Sequence, residues 1–268
     1  MSRSTPVIPP WIRQFRHPGY LNVYSFDQLR DEPKLFCTET LFGDWDAPTL
    51  LLAKDAAPAH VIRQRIEDGD PNPWRHGVRG LDPMGYKTNE RVAELAQFFR
   101  GSKLYGSALA HMLKEDEKTS GSLAHLTSGR LADHLRRVLR FVVDGMPNLQ
   151  TIVCLGNEAH RLVSSCTDDA RLAALTVGGS VEVSLYGPRI LVARLYHPSR
   201  PFTGGWAERR KEWQAVANEI NARISPEKNR YEEELPVRLR KERTHRFVST
   251  GLSDVKITKK QSDKPKEK

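Results

Sequence analysis

Ile190-Leu-Val-Ala-Arg-Leu-Tyr196, followed directly by His197-Pro198-Ser199-Arg200, is the stretch on which the reading of this chain turns. It is a near-continuous apolar run of strand length that stops at a proline and opens into a polar loop, the pattern of a strand buried on both faces. Two upstream segments repeat the design. Thr49-Leu-Leu-Leu-Ala-Lys54 leads into Asp55-Ala56-Ala57-Pro58, and Thr151-Ile-Val-Cys-Leu155 leads into Gly156-Asn157. Helical patterns separate these runs, and strands alternating with helices predict an α/β fold with parallel pairing. In open sheets of that kind ligands bind beyond the carboxyl ends of the strands, where Asp55, Gly156 and His197 all fall.

The intervening periodicities fill in the fold. A helix is predicted from Thr88 through Arg100, with Val92, Leu95, Ala96 and Phe99 on its buried face. Lys103 to Ala110 reads as a strand weakened by Gly106. A helix from about Ser128 to Asp144 buries Leu131, Leu135, Val138, Leu139 and Val142 and turns Arg136, Arg137 and Arg140 outward. Val181 to Tyr186 alternates with period two and meets the 190–196 run across Gly187-Pro188-Arg189, which predicts a hairpin. A last helix from Gly205 presents Trp206, Trp213, Val216, Ala217 and Ile220 inward and Arg209, Arg210 and Lys211 outward. Three regions follow: an N-terminal arm over 1–45 that Trp11, Phe15, Tyr20 and Tyr24 could dock, a domain over 46–225, and a basic tail over 226–268 with the composition of a disordered segment.

The formal net charge is +9, of which the tail carries +5. A basic excess suits a polyanionic partner, because Lys and Arg that neutralise phosphates release counterions, and nucleic acid is the partner it suggests. No apolar run approaches the roughly 18 residues of a membrane helix, and the first residues lack a secretory apolar segment, so an intracellular protein without a membrane partner is expected. The three cysteines, Cys37, Cys154 and Cys166, form no C-x-x-C pair and encode neither a disulfide framework nor a thiolate-held cluster. Phosphate-loop, dinucleotide-binding, zinc-protease and nucleophile-elbow motifs are missing, and no histidine spacing suits a metal. The expectation is a monomer without metal or cofactor.

Locally, each strand end has two readings. Asp55 could cap a helix starting near Pro58, or act as a carboxylate that polarises water or stabilises positive charge. Gly156-Asn157 could be a turn and cap, or contact a phosphate or base through backbone N–H groups. His197-Pro198-Ser199 could be a strand exit with a capping serine, or pair a hydrogen-bond donor for a developing anion with a phosphate-holding hydroxyl. The turn-rich segment Pro71 to Pro83 reads as a long loop over the cleft.

Taken together, Ala53-Lys54-Asp55-Ala56-Ala57-Pro58, Val153-Cys-Leu-Gly-Asn-Glu-Ala159 and His197-Pro198-Ser199, in this order at successive strand ends, resemble the uracil-DNA glycosylase superfamily over roughly residues 48–220. The resemblance implies a three-layer α/β/α sandwich with a parallel central sheet of about four strands, and an enzyme that flips a base out of DNA and hydrolyses its N-glycosidic bond. It implies that Asp55 positions water or stabilises the oxocarbenium-like sugar, that His197 bonds to O2 of the departing pyrimidine, and that Ser199 clamps a phosphate. Arg200 and Phe202 fall where the family inserts a wedge into DNA, with Arg209 and Arg210 as further DNA contacts. The family's base-reading Asn is replaced by Ala108, or by Ser107 with a one-residue shift, while Trp74 and Tyr86 are candidates for the ring that stacks on the base. A non-catalytic nucleic-acid-binding protein of the same fold is the alternative reading; a phosphate-ester hydrolase would need a nucleophile or metal site that is not evident.

Overall fold

The computed structural model describes residues 6–27, 43–54, 59–70, 87–115, 128–198 and 205–224. They fall within one compact unit, Met1–Ser225. The fold is mixed α/β. Its sheet has five strands in the order β3-β2-β5-β7-β6, where β2 is Thr49–Ala53, β3 Lys103–Ser107, β5 Thr151–Leu155, β6 Ser180–Ser184 and β7 Arg189–Leu195. Four strands are parallel, and β6 closes the edge as the antiparallel partner of β7. A two-stranded antiparallel ribbon joins β1 (Tyr20–Asn22) to β4 (Met112–Lys114).

Alternate residues of the central strands enter two separate cores, as the period of two in a strand requires. Leu50, Leu52, Ile152, Cys154, Ile190 and Val192 pack with the apolar face of α4 (Gly129–Gly145) and with Ala159, Leu162 and Val163 of α5 (Asn157–Ser164). Leu51, Ala53, Val153, Leu155, Ala193 and Leu195 pack with α3 (Lys87–Phe98) and α7 (Gly205–Arg223). The short helices α2 (Ala59–Glu67) and α6 (Ala170–Ala173) complete the first of these cores through Ala59, Ile62 and Leu172.

The strand expected to run to Ala110 ends at Ser107. Its continuation is pulled into a turn in which the Ala108 and Leu109 amides donate to Ala53 and Lys54 carbonyls at 2.8 and 3.2 Å, and Ala110 takes a positive φ of 48°. The helix expected from Thr88 begins one residue earlier and ends at Phe98, where Asn221 of α7 donates to the Phe98 carbonyl and accepts from the Arg100 amide. Within the segment read as an arm, residues 6–27 supply Ile8, Ile12, Tyr20, Val23 and Tyr24 to the first core. Residues 1–5 and 28–42 of that arm, and the tail over 226–268, lie outside the described residues.

One buried amide organises that N-terminal segment. Asn22 donates through Nδ2 to the carbonyls of Ile12, Arg13 and Phe15 at 2.9, 3.2 and 3.0 Å, and its Oδ1 accepts from the Tyr24 amide at 3.0 Å. It thereby ties the end of α1 (Pro10–Arg13) to β1. Asn22→Ala strands these groups inside the protein, and a loss of about 2–3 kcal/mol is expected, measurable as a lowered urea midpoint at unchanged slope.

A histidine pair lies beside it. His111, just beyond β3, and His134 of α4 face each other with Nε2 atoms 3.2 Å apart, and Phe15 stacks on His134 at 3.5 Å between centroids. Burial, then the charges of Arg137 and Arg130, hold His134 down at about 4; burial, then His134, holds His111 well below its ordinary value. A depressed folded value means that the unfolded chain takes up protons first as pH falls. The pair's contribution to stability is therefore fully present above about pH 6.5 and is lost progressively as pH falls from there towards 4. His134→Gln should make denaturation midpoints markedly less dependent on pH across that window.

Candidate functional site

The four parallel strands end at one edge, and four segments converge there: Lys54 after β2, the Ser107–Leu109 turn after β3, Gly156 after β5, and Tyr196–Pro198 after β7. The chain leaves β2 for β3 on one side and β5 for β7 on the other, so the sheet's topological switch point lies between β2 and β5. Lys54 Nζ spans this crevice to Glu158 Oε1, 3.6 Å away in the first turn of α5. Both side chains are about three-quarters covered, with relative exposures of 23% and 24%.

Gly156 is the junction that lets His197 approach. It has φ 100° and ψ 173°, a conformation that a side chain opposes, and a Cβ built on it would lie 3.3 Å from His197 Cβ and 3.5 Å from Glu158 Oε2. Its amide donates to the Leu195 carbonyl at 2.8 Å, so this N–H fastens the start of α5 to the end of β7. The Asn157 Oδ1 accepts from Arg194 Nη2 at 3.0 Å, and Arg194 also donates to the Leu175 carbonyl at 2.5 Å. The two residues read as a phosphate or base contact thus have these groups engaged with β7.

The loop bearing His197 is braced on both flanks by arginines from two helices. Arg91 of α3 donates to the Pro198 carbonyl at 2.9 Å while its guanidinium lies 4.6 Å over the Trp206 ring, and Trp206 donates to Glu94 at 3.0 Å. On the other side Arg209 stacks 4.1 Å over Tyr196 and pairs with Glu212 at 3.1 Å. This corrects the outward orientation expected of Arg209, which is 3% exposed. It follows Trp206 by three residues and precedes Trp213 by four, so the helix repeat puts it on the inward face, where an aromatic ring and a carboxylate receive its charge. Arg210 is half exposed and ion-paired with Glu94.

Ser107 and Ala108 are both buried. The Ser107 hydroxyl donates to the Lys54 carbonyl and accepts from the Leu109 amide, each at 3.1 Å, so it holds the turn between β2 and β3. Asp55, Trp74, Tyr86, Ser199, Arg200 and Phe202 lie outside the described residues. Of the remaining residues singled out in the sequence, His197 and Gly156 are brought into contact. Lys54 and Glu158 were not singled out, although the strand-end rule that selected Asp55 and Gly156 reaches them one and two residues away. Arg91, 107 positions from its hydrogen-bond partner, carries no local signal.

No protein-family model matches the chain, and no curated protein does. Among the described residues no group of three or more His, Cys, Asp or Glu is arranged to hold a metal, and no helix is long and apolar enough to cross a membrane. Cys154 is fully buried in β5, where desolvation pushes its thiol up, as expected of a structural cysteine.

Gly156→Ala forces a Cβ against His197 from a backbone conformation that opposes it. A loss of about 1–3 kcal/mol is expected, together with a shift of the His197 ring resonances; wild-type stability and unchanged resonances would show that the two loops are not in contact.

Proposed function

We propose that this protein is a DNA glycosylase, a hydrolase of base excision repair, built as a three-layer α/β/α sandwich. The observation that carries the reading is the packing of His197 against Gly156 at the carboxyl edge of four parallel strands. It accords with the order and spacing of the three short motifs. The basic charge accords with a DNA partner.

The proposed reaction extrudes a nucleotide into the crevice and breaks the bond between C1′ of the sugar and the base nitrogen. Asp55, next in the chain after Lys54, stabilises the positive charge that develops on the sugar and orients the water whose oxygen bonds to C1′. His197 donates a hydrogen bond to O2 of the departing base anion, and a proton from the water ultimately restores the neutral base. Fixing such a donor in advance of the reaction is the source of its effect, which makes the two arginines flanking His197 positioning residues. Ser199 binds phosphate, and Arg200 and Phe202 hold the gap in the stack. Ser107 and Ala108 offer no side-chain amide to read the base's edge. That same observation favours, as a second reading, a nucleic-acid-binding protein that keeps the fold without the reaction.

The test is incubation with single-stranded and duplex oligonucleotides carrying one uracil, hypoxanthine or oxidised pyrimidine, scored for alkali-labile abasic sites. Release of at least one base is expected. Asp55→Asn and His197→Ala should each lower the single-turnover rate by about 10²–10⁴-fold while oligonucleotide affinity is retained. Binding without release of any base would sink the enzymatic reading and leave the second one.

A further inference from the structure

Most arginines on the described surface are neutralised close by. Arg136 pairs with Asp133, Arg140 with Asp144, Arg171 with Asp169, Arg189 with Glu182 and Arg223 with Glu219. Arg100 and Arg161 are exposed with no carboxylate pairing among the described residues, and so are Arg16, Arg130 and Arg137, which differ in lying together. These three share one region of the molecule, where the N-terminal segment lies on α4.

Arg137 is stacked 4.5 Å over the Trp11 ring and Arg130 lies 5.4 Å over Phe15. The two rings are joined through His134, on which Phe15 stacks and against which Trp11 stands edge-on at 5.6 Å. Arg16 bends back, donating through Nη1 to the Arg13 and Phe15 carbonyls at 3.1 and 2.9 Å. Each guanidinium is therefore oriented by a ring or by backbone, and no carboxylate among the described residues pairs with its charge. An arginine held over a ring has lost part of its rotamer freedom already and keeps its in-plane N–H groups for a bidentate anion.

The field of these charges is felt locally. Arg137 and Arg130 both oppose protonation of His134, adding to the effect of its burial. Position strengthens the case. Helix α4 is followed by β5, which begins at the far edge of the sheet, so Arg130 in the first turn of α4 lies towards the carboxyl edge where His197 sits. Arg137 follows it by seven residues, two helical turns or about 10 Å along the same helix face.

We propose that Arg16, Arg130 and Arg137, set on the Trp11–Phe15–His134 ring cluster, form a phosphate-contacting surface for a nucleic-acid strand running along α4 from the carboxyl edge of the sheet. The partner is nucleic acid rather than an anionic membrane. Rings that would enter a bilayer are here tucked under the guanidinium groups, and Val7 is the one large apolar side chain that stands well exposed among the described residues. The surface is argued from arginine geometry and does not require base release, although the choice of DNA as the probe rests on the glycosylase reading.

The experiment uses the full-length chain and fluorescence anisotropy with a labelled duplex and a labelled single strand of the same sequence, across a series of salt concentrations. Arg130→Gln/Arg137→Gln should weaken binding at least tenfold at low salt. It should also lower the slope of log K against log[salt] by roughly 2 for duplex or about 1.4 for a single strand, the values for two lost phosphate contacts. Arg189→Gln, on an ion-paired arginine of the hairpin, is the comparison and should leave the slope unchanged. Thermal denaturation checks that the double variant is folded. If loss of the ring contacts unfolds it, Arg16→Gln, which removes a guanidinium from an exposed backbone position, should lower the duplex slope by about 0.9 on its own.

An unchanged slope in a folded variant overturns the surface, as does equal loss of binding to anionic vesicles and to DNA. Retained DNA binding with a normal loss of slope, in a protein that releases no base, upholds the surface while the glycosylase reading falls.

Discussion

Burial of both faces of β2, β5 and β7 is the constraint from which the rest of the structure follows. A strand with apolar side chains on successive residues cannot leave either face in water, so helices must cover both. With α4 and α5 on one side and α3 and α7 on the other, the chain has to cross over the sheet between parallel strands, and every crossover returns to start the next strand at the same edge. The carboxyl ends of the four parallel strands then collect at the opposite edge. The convergence of Lys54, Ser107, Gly156 and His197 is a consequence of that geometry and does not depend on any attraction among them.

Edge position alone does not make a site, and here it is refined by close packing between neighbouring ends. Glycine at 156 allows the β5 and β7 exits to touch, and the Gly156 amide is drawn to Leu195 in place of a ligand. Arg91 and Arg209 approach the same loop from α3 and α7 and hold the residues on either side of His197. A histidine meant to meet a developing charge gains most when its surroundings do not have to rearrange, because reorganisation during the reaction subtracts from the stabilisation it gives. The two arginines that hold Tyr196 and Pro198 come from helices of the second core. The packing that stabilises the fold is thus continuous with the contacts that orient the candidate site.

The legibility of these features in the sequence follows their range along the chain. Period-two and period-3.6 patterns are local, and the strand ending at Leu155 and the α4 face stand where those patterns put them, while the hairpin strands read over 181–186 and 190–196 are found one or two residues off, at Ser180–Ser184 and Arg189–Leu195. Arg209 obeys the same rule: its spacing from Trp206 and Trp213 places it inward against the outward expectation, and Tyr196 and Glu212 make burial tolerable. The end of β3 was less accessible, because hydrogen bonds from Ala108 and Leu109 to β2, more than fifty residues away, decide it. The role of residues 6–27 in the core is of the same kind. Asn22 and its four backbone partners have no periodic signature, since a single buried amide organises irregular backbone by hydrogen bonding and not by repetition.

The His111–His134 pair and the arginines above it belong to one electrostatic arrangement. Two facing histidines share a hydrogen bond as long as one of the facing nitrogens is unprotonated, and while both rings are neutral the pair adds no positive charge beneath Arg130 and Arg137. If either imidazole were protonated, a third cation would lie under the guanidinium groups and the ring stack would separate like charges at short range. Burial and the neighbouring arginines act in the same direction, keeping the histidines uncharged and leaving the surface charge to side chains that cannot lose it. The guanidinium charges of this face persist across the neutral range, while the histidine pair beneath them is sensitive to acid. That separation suits a surface whose partner is a polyanion: attraction is carried by permanent charges, and the titrating groups serve the packing that holds them in place.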